Sequence, residues 1–426
     1  MRGEEPGAEL LRGAGAGRVL AWLVVLCIIT RLVFLVYWPE NYDLLAADVD
    51  GYWGIGANLQ AGKGFARGTE PISTATRSPM YPVFLAGVHW LTGGREGIAL
   101  ASQAVLDGLT CVGIYFLAFL ISGSVAGAYL ACLCWALYLP EISQITRFWS
   151  EPLCALLVTY GLLLYLLARR YDRLWLFGLT GVAFGGAALT RSAFLLLPVL
   201  FAALLLIKGD EGRGRRALLA GALLMGFSLS MAPWVIRNAI VFHAFIPGYT
   251  QGGITLYQAH VTLGEDDYLT FVPHSYIVRK VQERVASDPE WSRAEHSEVA
   301  LDLLSAREAV GLIRNHPFRY AKLSVVRAVR LWFNMGYGRA QSWTGVGVGV
   351  LNGGLLALGV IGLIGGRRVG VSGTAPLVVT LIYSTMVPSL VLAVGRYIFP
   401  VIPALVVLSA CGFMVVYSRV RAHYPE

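Results

Sequence analysis

Residues 38–84 decide how this chain is organised: they read WPENYDLLAADVDGYWGIGANLQAGKGFARGTEPISTATRSPMYPVF. The segment is polar, is punctuated by glycine and proline, and lies between two apolar runs. Asp43, Asp48 and Asp50 lie just beyond the first run, and Arg77 lies just before the second. We interpret the segment as a loop that carries the chemistry, held at a membrane surface by the rest of the chain.

The composition is that of a membrane protein. Of the 426 residues, 56% are hydrophobic and 14% are charged, and the mean hydropathy is +0.62. A soluble protein has roughly a quarter of its residues charged. Apolar runs of about 20 residues match a hydrocarbon core of about 30 Å, which predicts an all-α polytopic membrane protein. The runs lack the alternation typical of membrane-spanning strands.

The net charge of +8 does not indicate a nucleic-acid-binding protein, and we expect no nucleic-acid partner. Most basic residues fall in short loops between apolar runs, where the positive-inside rule accounts for them. All six cysteines lie within apolar runs, which favours buried free thiols over disulfides or a zinc site.

Hydropathy and loop charge predict about ten spans, within a range of 10–12 for the whole bundle. The predicted spans cover residues 19–38, 97–121, 125–140, 152–168, 174–190, 193–207, 217–235, 344–365, 375–394 and 397–418. The strongly basic short loops then lie in the cytoplasm with both termini, beginning with Arg2, Arg12 and Arg18, and the carboxylate-bearing loops lie outside. We expect location in the cytoplasmic (inner) membrane with the active site on its outer face.

Two helices are predicted at the outer surface without crossing. Pro79–Leu91 has about 13 residues and is too short to span. Phe318–Phe333 contains Arg319, Lys322, Arg327 and Arg330, and is predicted to be an amphipathic helix in contact with membrane lipids. The predicted organisation has three parts: residues 1–238 with the outer loop 39–96, the extracytoplasmic loop 239–343, and the C-terminal spans 344–426.

Two further helices are predicted in the extracytoplasmic loop, at residues 278–286 and 297–315. The second has apolar residues at helical spacing, which indicates a helix. These residues are Val299, Leu303, Ala306 and Val310.

A short helix is also predicted in the first loop, after Asp50. Asp50 is the expected N-cap, Gly62 and Gly64 offer a C-cap, and the apolar stripe is Tyr52, Ile55 and Leu59. Asp48 would then be free to act as a general base, a role that contributes roughly 10²–10⁴-fold to a rate. The alternative is that Asp48 is the cap and Asp50 is solvated.

Arg77 precedes the helix that begins at Pro79, so the arginine and the free N–H groups there could bind an anion. An arginine bound to lipid head groups is the alternative. Glu151 begins the fourth span, where an acidic residue ordinarily stabilises the helix N-terminus. If it faces the Asp48 loop, it could instead bind a polar acceptor.

Arginines recur near the predicted outer ends of helices, against the positive-inside bias. This pattern indicates an anionic ligand such as a lipid phosphate, and the residues are Arg147, Arg191, Arg237 and Arg396. Arg31 interrupts the first span, where it either reaches the interface or faces a polar cavity inside the bundle.

The common nucleotide and metal motifs are missing from the sequence. Gly62-Lys63-Gly64 lacks the Ser or Thr that a P-loop places after its lysine, and there is no HExxH. We expect no obligatory cofactor. A divalent cation such as Mg²⁺ or Mn²⁺ remains possible, with Asp48, Asp50 and Glu151 as its candidate ligands.

Short ordered blocks resemble the polytopic GT-C glycosyltransferases, in particular bacterial relatives of protein O-mannosyltransferases and of the lipid A aminoarabinose transferase. The blocks are ADVDGYWGIGANLQAGKGF, TRSPMYPVFLA, FWSEPLCALL, ALTRSAFLLLP, PWVIRNAIVFHAFIP, IRNHPFRYAKL and GRYIFPVIPAL. One departure is Arg77-Ser78-Pro79, where some relatives have a basic residue followed by two prolines.

The resemblance implies a hexosyl- or pentosyltransferase that takes a sugar from a polyprenyl-phosphate-linked donor and passes it, with inversion, to a lipid, glycan or protein acceptor. It implies Asp48 as the general base and Glu151 as a second acid. It further implies that Arg77, Arg237 and Arg396 bind the lipid phosphate. The full set of predicted substrate-binding residues is Asp50, Tyr52, Arg77, Tyr81, Arg191, Arg237 and Arg396.

Two other functions fit the sequence. A flippase or transporter for a lipid-linked sugar would use the same cavity without chemistry, although internal repeats, which transporters often have, are not apparent. A polysaccharide ligase or polymerase would use a lipid diphosphate donor.

Overall fold

The computed structural model describes residues 14–37, 48–69, 72–207, 212–269, 274–333 and 343–423. Asp43, Arg2 and Arg12, together with the start of the basic loop at 208–211, lie outside the described residues. Helices dominate the described part of the chain, and its only strands form one short antiparallel hairpin.

The first half of the chain contains helices α1 to α10 and the hairpin. They are α1 (Ala14–Tyr37), α2 (Tyr52–Gln60), β1 (Ala66–Arg67), β2 (Ile72–Ser73), α3 (Met80–Thr92), α4 (Glu96–Ser122), α5 (Val125–Ala136), α6 (Leu139–Ile142), α7 (Glu151–Tyr171), α8 (Leu174–Thr190), α9 (Leu197–Ile207) and α10 (Arg213–Phe242). The predicted domain boundary after residue 238 falls inside α10.

The second half contains helices α11 to α18. They are α11 (Gly252–His260), α12 (His274–Ser287), α13 (Pro289–Ala294), α14 (Glu298–Asn315), α15 (Pro317–Phe333), α16 (Trp343–Gly365), α17 (Ala375–Leu390) and α18 (Ile402–His423). Four 3₁₀ segments join neighbouring helices, at Ser143–Thr146, Ser192–Phe194, Gly366–Val369 and Gly395–Val401.

The all-α polytopic architecture is confirmed. Six helices in the described residues are long and apolar enough to cross a membrane: α1, α4, α7, α10, α16 and the stretch Gly395–Ala422. α5 and the segment Leu139–Thr146 form a seventh candidate, bent by 45°. The remaining predicted spans correspond to shorter apolar helices, Leu174–Thr190, Ser192–Ile207 and Ala375–Leu390.

The two predicted surface segments are both helical. α3 has 13 residues and α15 has 17, and neither is among the described helices that pass the length and hydropathy test for a span. The structure is therefore consistent with the prediction that neither helix crosses the membrane. If α3 does not cross, the start of α7 lies at the same end of the bundle as α2.

Glycines allow the closest helix contacts. A Cβ added to Gly181 of α8 would lie 1.9 Å from the Leu223 carbonyl oxygen of α10, and one on Gly226 would lie 2.0 Å from that of Gly178. α16 and α18 approach equally closely, because a Cβ on Gly412 would lie 1.8 Å from the Leu358 carbonyl oxygen. Since lipid tails are as apolar as leucine, such close backbone packing holds membrane helices together.

Arg31 faces the interior of the bundle and is fully buried. Its Nε donates to Asp107 Oδ2 on α4 (2.9 Å), and its Nη1 and Nη2 donate to the carbonyls of Ala136 (2.7 Å) and Trp135 (3.1 Å) at the end of α5. The guanidinium thus joins α1, α4 and the bend after α5. A charge inside a membrane is tolerated when it is paired in this way.

The helix predicted at residues 297–315 is confirmed as α14. Its buried residues are Leu304, Ser305 and Ala309, whereas Leu303 is 67% exposed. Leu304 and Ala309 belong to an apolar cluster with residues of α11 and α13. Asp302 Oδ1 accepts from the N–H groups of Gly253 (2.7 Å) and Ile254 (3.0 Å), which joins the same face of α14 to α11.

Candidate active site

The first-loop helix begins differently from the prediction. The Gly51 N–H donates to the Asp48 carbonyl (3.0 Å), and Gly51 has a φ of 75°, so residues 48–51 form a turn. Asp48 Oδ1 accepts from Trp53 N (2.9 Å) and Oδ2 from Gly54 N (3.1 Å). Asp48 therefore caps α2, and the prediction that Asp50 is the cap is wrong. The turn directs the Asp50 carboxylate away from the helix N-terminus.

The end of the same helix follows the prediction. Gly62 has a φ of 73°, in the left-handed region that favours glycine, and the Lys63 N–H donates to the Asn58 carbonyl (2.9 Å). The helix packs closely on α3, because a Cβ on Gly56 would lie 3.0 Å from Leu85 Cβ. This packing fixes the loop that carries Asp48 and Asp50.

Asp50 is bound by two arginines. Its Oδ1 lies 3.2 Å from Arg77 Nη2, and its Oδ2 lies 3.3 Å from Arg396 Nη2. Arg77 Nε also donates to the Asp50 carbonyl (2.8 Å), and Arg77 Nη1 donates to Gln251 Oε1. Tertiary folding therefore brings together groups from three distant parts of the chain.

Glu151 is paired with Arg396 and with a further arginine, Arg191, and is fully buried. Its Oε1 is 2.7 Å from Arg191 Nη1 and 3.5 Å from Arg396 Nε. Arg396 consequently bridges Glu151 and Asp50, so the acidic residues of the first and second loops lie at the same end of the bundle. This agrees with the topology inferred from loop charge.

These groups border a cavity of about 700 Å³. Its polar lining includes Asp50, Tyr52, Arg67, Arg77, Arg191, Tyr249, Gln251, Arg396 and Tyr397. Its apolar lining includes Phe194, Ile254, Leu256, Val387, Pro388, Val391 and Leu392. A cavity lined by both arginines and apolar side chains suits an amphiphile that has an anionic head group.

The charges around the cavity do not balance among the described residues. Four arginines line it, Asp50 is the only carboxylate in the lining, and Glu151 and Asp48 lie beside it. In a partly buried site, an excess of cations favours an anion that neutralises it. The guanidinium groups also offer paired donors in the geometry that phosphate accepts.

Aromatic rings support the guanidinium groups. The Arg396 guanidinium carbon lies 4.2 Å from the centroid of the Trp149 ring, and that of Arg191 lies 4.6 Å from the Tyr397 ring. Such stacking restricts where each cation can point. Four residues of the site were not predicted from the sequence: Trp149, Tyr397, Arg67 and Gln251. For the first two, the available signal was an aromatic residue close to a candidate arginine.

The surroundings of Asp48 and Tyr52 change the pKa of each side chain. Burial raises the pKa of Asp48, while hydrogen bonds from the N–H groups of α2 act in the opposite direction. Burial and the nearby Asp50 charge raise the pKa of Tyr52 to about 12, so its phenol stays protonated beside the cavity.

Two predicted binding residues lie outside the described lining of the cavity. Tyr81 is fully buried and donates to Gln103 Oε1 (2.9 Å). Arg237 donates to the carbonyls of Thr74 (2.9 Å) and Phe65 (3.1 Å), which holds the hairpin segment against α10. Their roles as substrate-binding residues stay predictions, and Asp48 and Glu151 likewise lie beside the lining rather than within it.

The carboxylates do not fit a divalent cation as they are arranged. Among the described residues, no group of three or more His, Cys, Asp or Glu side chains converges on one point. Asp48 accepts from two backbone N–H groups, while Asp50 and Glu151 are paired with arginines. A divalent cation at this position would compete with the guanidinium groups for both carboxylates.

No family model and no curated protein matches the chain. Among solved structures, the archaeal oligosaccharyltransferase AglB from Archaeoglobus fulgidus, in complex with an inhibitory peptide and a dolichol-phosphate, is similar with a TM-score of 0.58. The identity is 15%, over 96% of this chain and 51% of that chain. The apo Archaeoglobus fulgidus oligosaccharyltransferase gives a TM-score of 0.58 at 14% identity, over 99% of this chain and 52% of that chain.

ArnT from Cupriavidus metallidurans bound to undecaprenyl phosphate gives a TM-score of 0.41 at 16% identity, over 96% of this chain and 79% of that chain. This TM-score is too low for a comparison of the two folds. The match to the two oligosaccharyltransferases shows that the chain shares their fold, in agreement with the predicted all-α polytopic bundle. The chain spans about half the length of those two chains.

Proposed function

We propose that the protein is a membrane glycosyltransferase that uses a polyprenyl-phosphate-linked sugar. The observation that carries the proposal is the Asp50 carboxylate, paired with two arginines, on the wall of a cavity lined by arginines and apolar side chains. The fold supports it, because the similar AglB structure holds a dolichol-phosphate and a peptide. The active site would lie at the outer face of the cytoplasmic membrane, as the loop charges predict.

On the donor side, Arg77, Arg191 and Arg396 would bind the lipid phosphate. The leaving group is a phosphate that is stable as an anion, so fixed guanidinium groups can neutralise the charge that develops on it. Preorganised donors of this kind are effective because they need little rearrangement during the reaction. Glu151 would keep Arg191 and Arg396 in place, in addition to the contact with the acceptor predicted from its position.

On the acceptor side, a hydroxyl oxygen would attack the anomeric carbon while its proton passes to a carboxylate. The new C–O bond forms as the bond from the anomeric carbon to the phosphate oxygen breaks, and that electron pair leaves with the phosphate. The transition state is oxocarbenium-like, and attack from the opposite face inverts the configuration.

Two aspartates compete for the role of base. The sequence favours Asp48, and its raised pKa would suit a base. Both of its oxygens, however, accept from backbone N–H groups at the start of α2. We favour Asp50, because it lies in the cavity lining and a bound phosphate would draw its two arginines away from it.

The direct test is transfer by the purified protein in lipid nanodiscs, with defined polyprenyl-phosphate sugars and candidate acceptors. Glycolipids and glycoproteins from cells with and without the gene, compared by mass spectrometry, would identify the acceptor. Transfer that requires a lipid diphosphate donor would favour the ligase or polymerase. Movement of the lipid-linked sugar across vesicles without any transfer would favour the flippase.

A further inference from the structure

Part of the cavity wall is formed by the ends of two helices. Leu256 and Gln258 belong to α11, which ends at His260, while Val391 and Leu392 directly follow α17. The last carbonyls of a helix lack partners within it and carry partial negative charge. A cation placed between two such ends is therefore stabilised by both.

Arg327 of α15 occupies this position and is 9% exposed. Its Nη1 lies 2.9 Å from His260 Nε2 and donates to the Val391 carbonyl (3.2 Å), while its Nη2 donates to the Ala259 carbonyl. One guanidinium thus joins the end of α11 to the turn after α17. Tyr320, on the same helix, donates to the adjacent Leu390 carbonyl (3.2 Å).

The His260 ring has the protonation state that this contact requires. Its Nδ1 lies 2.7 Å from the Leu256 carbonyl oxygen, which accepts only if Nδ1 carries the proton, and this leaves the Nε2 lone pair for Arg327. Burial and the Arg327 charge lower the pKa of His260 to about 4, so the ring is neutral near pH 7.

Both of the joined elements lead to the arginines of the site. The turn after Val391 runs into the segment Gly395–Val401, which carries Arg396. Gln251, immediately before α11, accepts from Arg77. Displacing either helix end would therefore move a cation that faces the cavity.

We infer that Arg327 is a positioning residue: through His260 and Val391 it holds α11 and the α17 turn at the separation that lets Arg77 and Arg396 face one ligand. The identity of that ligand rests on the proposed function. The positioning of α11 and of the turn after α17 by Arg327 does not depend on the proposed function, because it concerns only these two parts of the cavity wall.

The first experiment tests this positioning by Arg327. Arg327→Met is compared with Lys322→Met, an exposed position on the same helix, by hydrogen–deuterium exchange of the full-length protein in nanodiscs. Amides in residues 252–260 and 391–396 should exchange about tenfold faster or more in Arg327→Met, since hydrogen bonds to charged groups contribute at least about one decade. Exchange equal to that of Lys322→Met in both segments would overturn the inference.

The second experiment tests the consequence for the ligand, with undecaprenyl phosphate as the binding probe. Arg327→Met should weaken binding about tenfold or more, and Arg327→Lys should recover part of the loss. His260→Gln retains an acceptor for Arg327 and should bind more tightly than His260→Leu. The double variant Arg327→Met/His260→Leu should bind no more weakly than Arg327→Met, because both residues belong to one contact.

The outcomes separate the two proposals. If the wild-type protein does not bind undecaprenyl phosphate but exchange rises in both wall segments, the donor class is wrong and the positioning role stands. If the wild-type protein binds the probe and all variants bind equally well, the positioning role is wrong and the proposed function stands.

Discussion

Arg31 and Arg396 both lie at apolar helices, yet their surroundings differ in kind. Arg31 is fully buried, and its donors meet Asp107 and the carbonyls that end α5. Arg396 is 19% exposed, lines the cavity, and shares Asp50 and Glu151 with Arg77 and Arg191. The first guanidinium is satisfied within the bundle, whereas the second belongs to a group in which cations outnumber carboxylates.

The difference suggests two roles for chemically identical side chains: a structural one for Arg31 and, as we propose, a ligand-binding one for Arg396. A buried pair with matched charges stabilises one arrangement of helices and offers nothing to a ligand. An excess of cations beside a cavity is costly unless an anion arrives, and this is what a binding site requires. The following substitutions test that division.

The largest effect is expected from Asp50→Asn, which keeps the shape of the side chain and removes its charge. If Asp50 accepts the proton, kcat should fall by roughly 10²–10⁴-fold, with little change in thermal stability. Single-turnover transfer with saturating donor measures this. A loss below about threefold would return the role of base to Asp48.

Arg31→Met tests the interior pair. It leaves Asp107 buried without its cation, which should destabilise the protein by about 3–5 kcal/mol. Thermal unfolding in detergent reports the change, and the double variant Arg31→Met/Asp107→Leu should recover much of it because both charges of the pair are removed. A single variant as stable as the wild type would show that Arg31 is not the structural member of the comparison.

Arg396→Met tests the cavity group. Glu151 keeps Arg191 as its partner, so stability should fall less than in Arg31→Met. The donor KM should rise by about 10–100-fold through loss of a charge-assisted contact to the phosphate. Steady-state kinetics against donor concentration measures this, with Arg31→Met as the reference. If both variants change the donor KM equally, the contrast between a structural Arg31 and a ligand-binding Arg396 is wrong.

The smallest effect is expected at Asp48. Asparagine still offers an oxygen to the N–H groups of α2, so Asp48→Asn should keep the cap and most of the transfer activity. Asp48→Ala removes the cap and should cost about 1 kcal/mol in stability. Unfolding and transfer assays on the two variants distinguish a cap from a base. If Asp48 were the base, both variants would lose transfer activity.

Much of the fold follows from local sequence. Runs of about 20 apolar residues must become helices that satisfy their own backbone groups, and loop charge orients them. Gly62 ends α2 where predicted, and the helix predicted at 297–315 is present as α14. These features depend on neighbours within a few residues, and for that reason the sequence predicts them.

The site required more than local sequence. Asp48 and Asp50 differ only by the turn at Gly51, which decides which of them caps α2, and sequence pattern favoured the wrong one. Leu303 and Leu304 are both apolar, and packing against α11 and α13 decides which of them is buried. Both outcomes depend on partners that lie in another element.

The sequence by itself determined a helical membrane bundle, its acidic first loop and its supply of arginines. Tertiary structure alone decided which arginines meet which carboxylates, because pairs such as Asp50–Arg396 and Arg31–Asp107 join helices distant in the chain. Charge pairing inside a membrane is set by which helix ends converge. Local sequence does not encode which helix ends converge. In this protein, that convergence places Arg31 in a buried pair and Arg396 at the cavity.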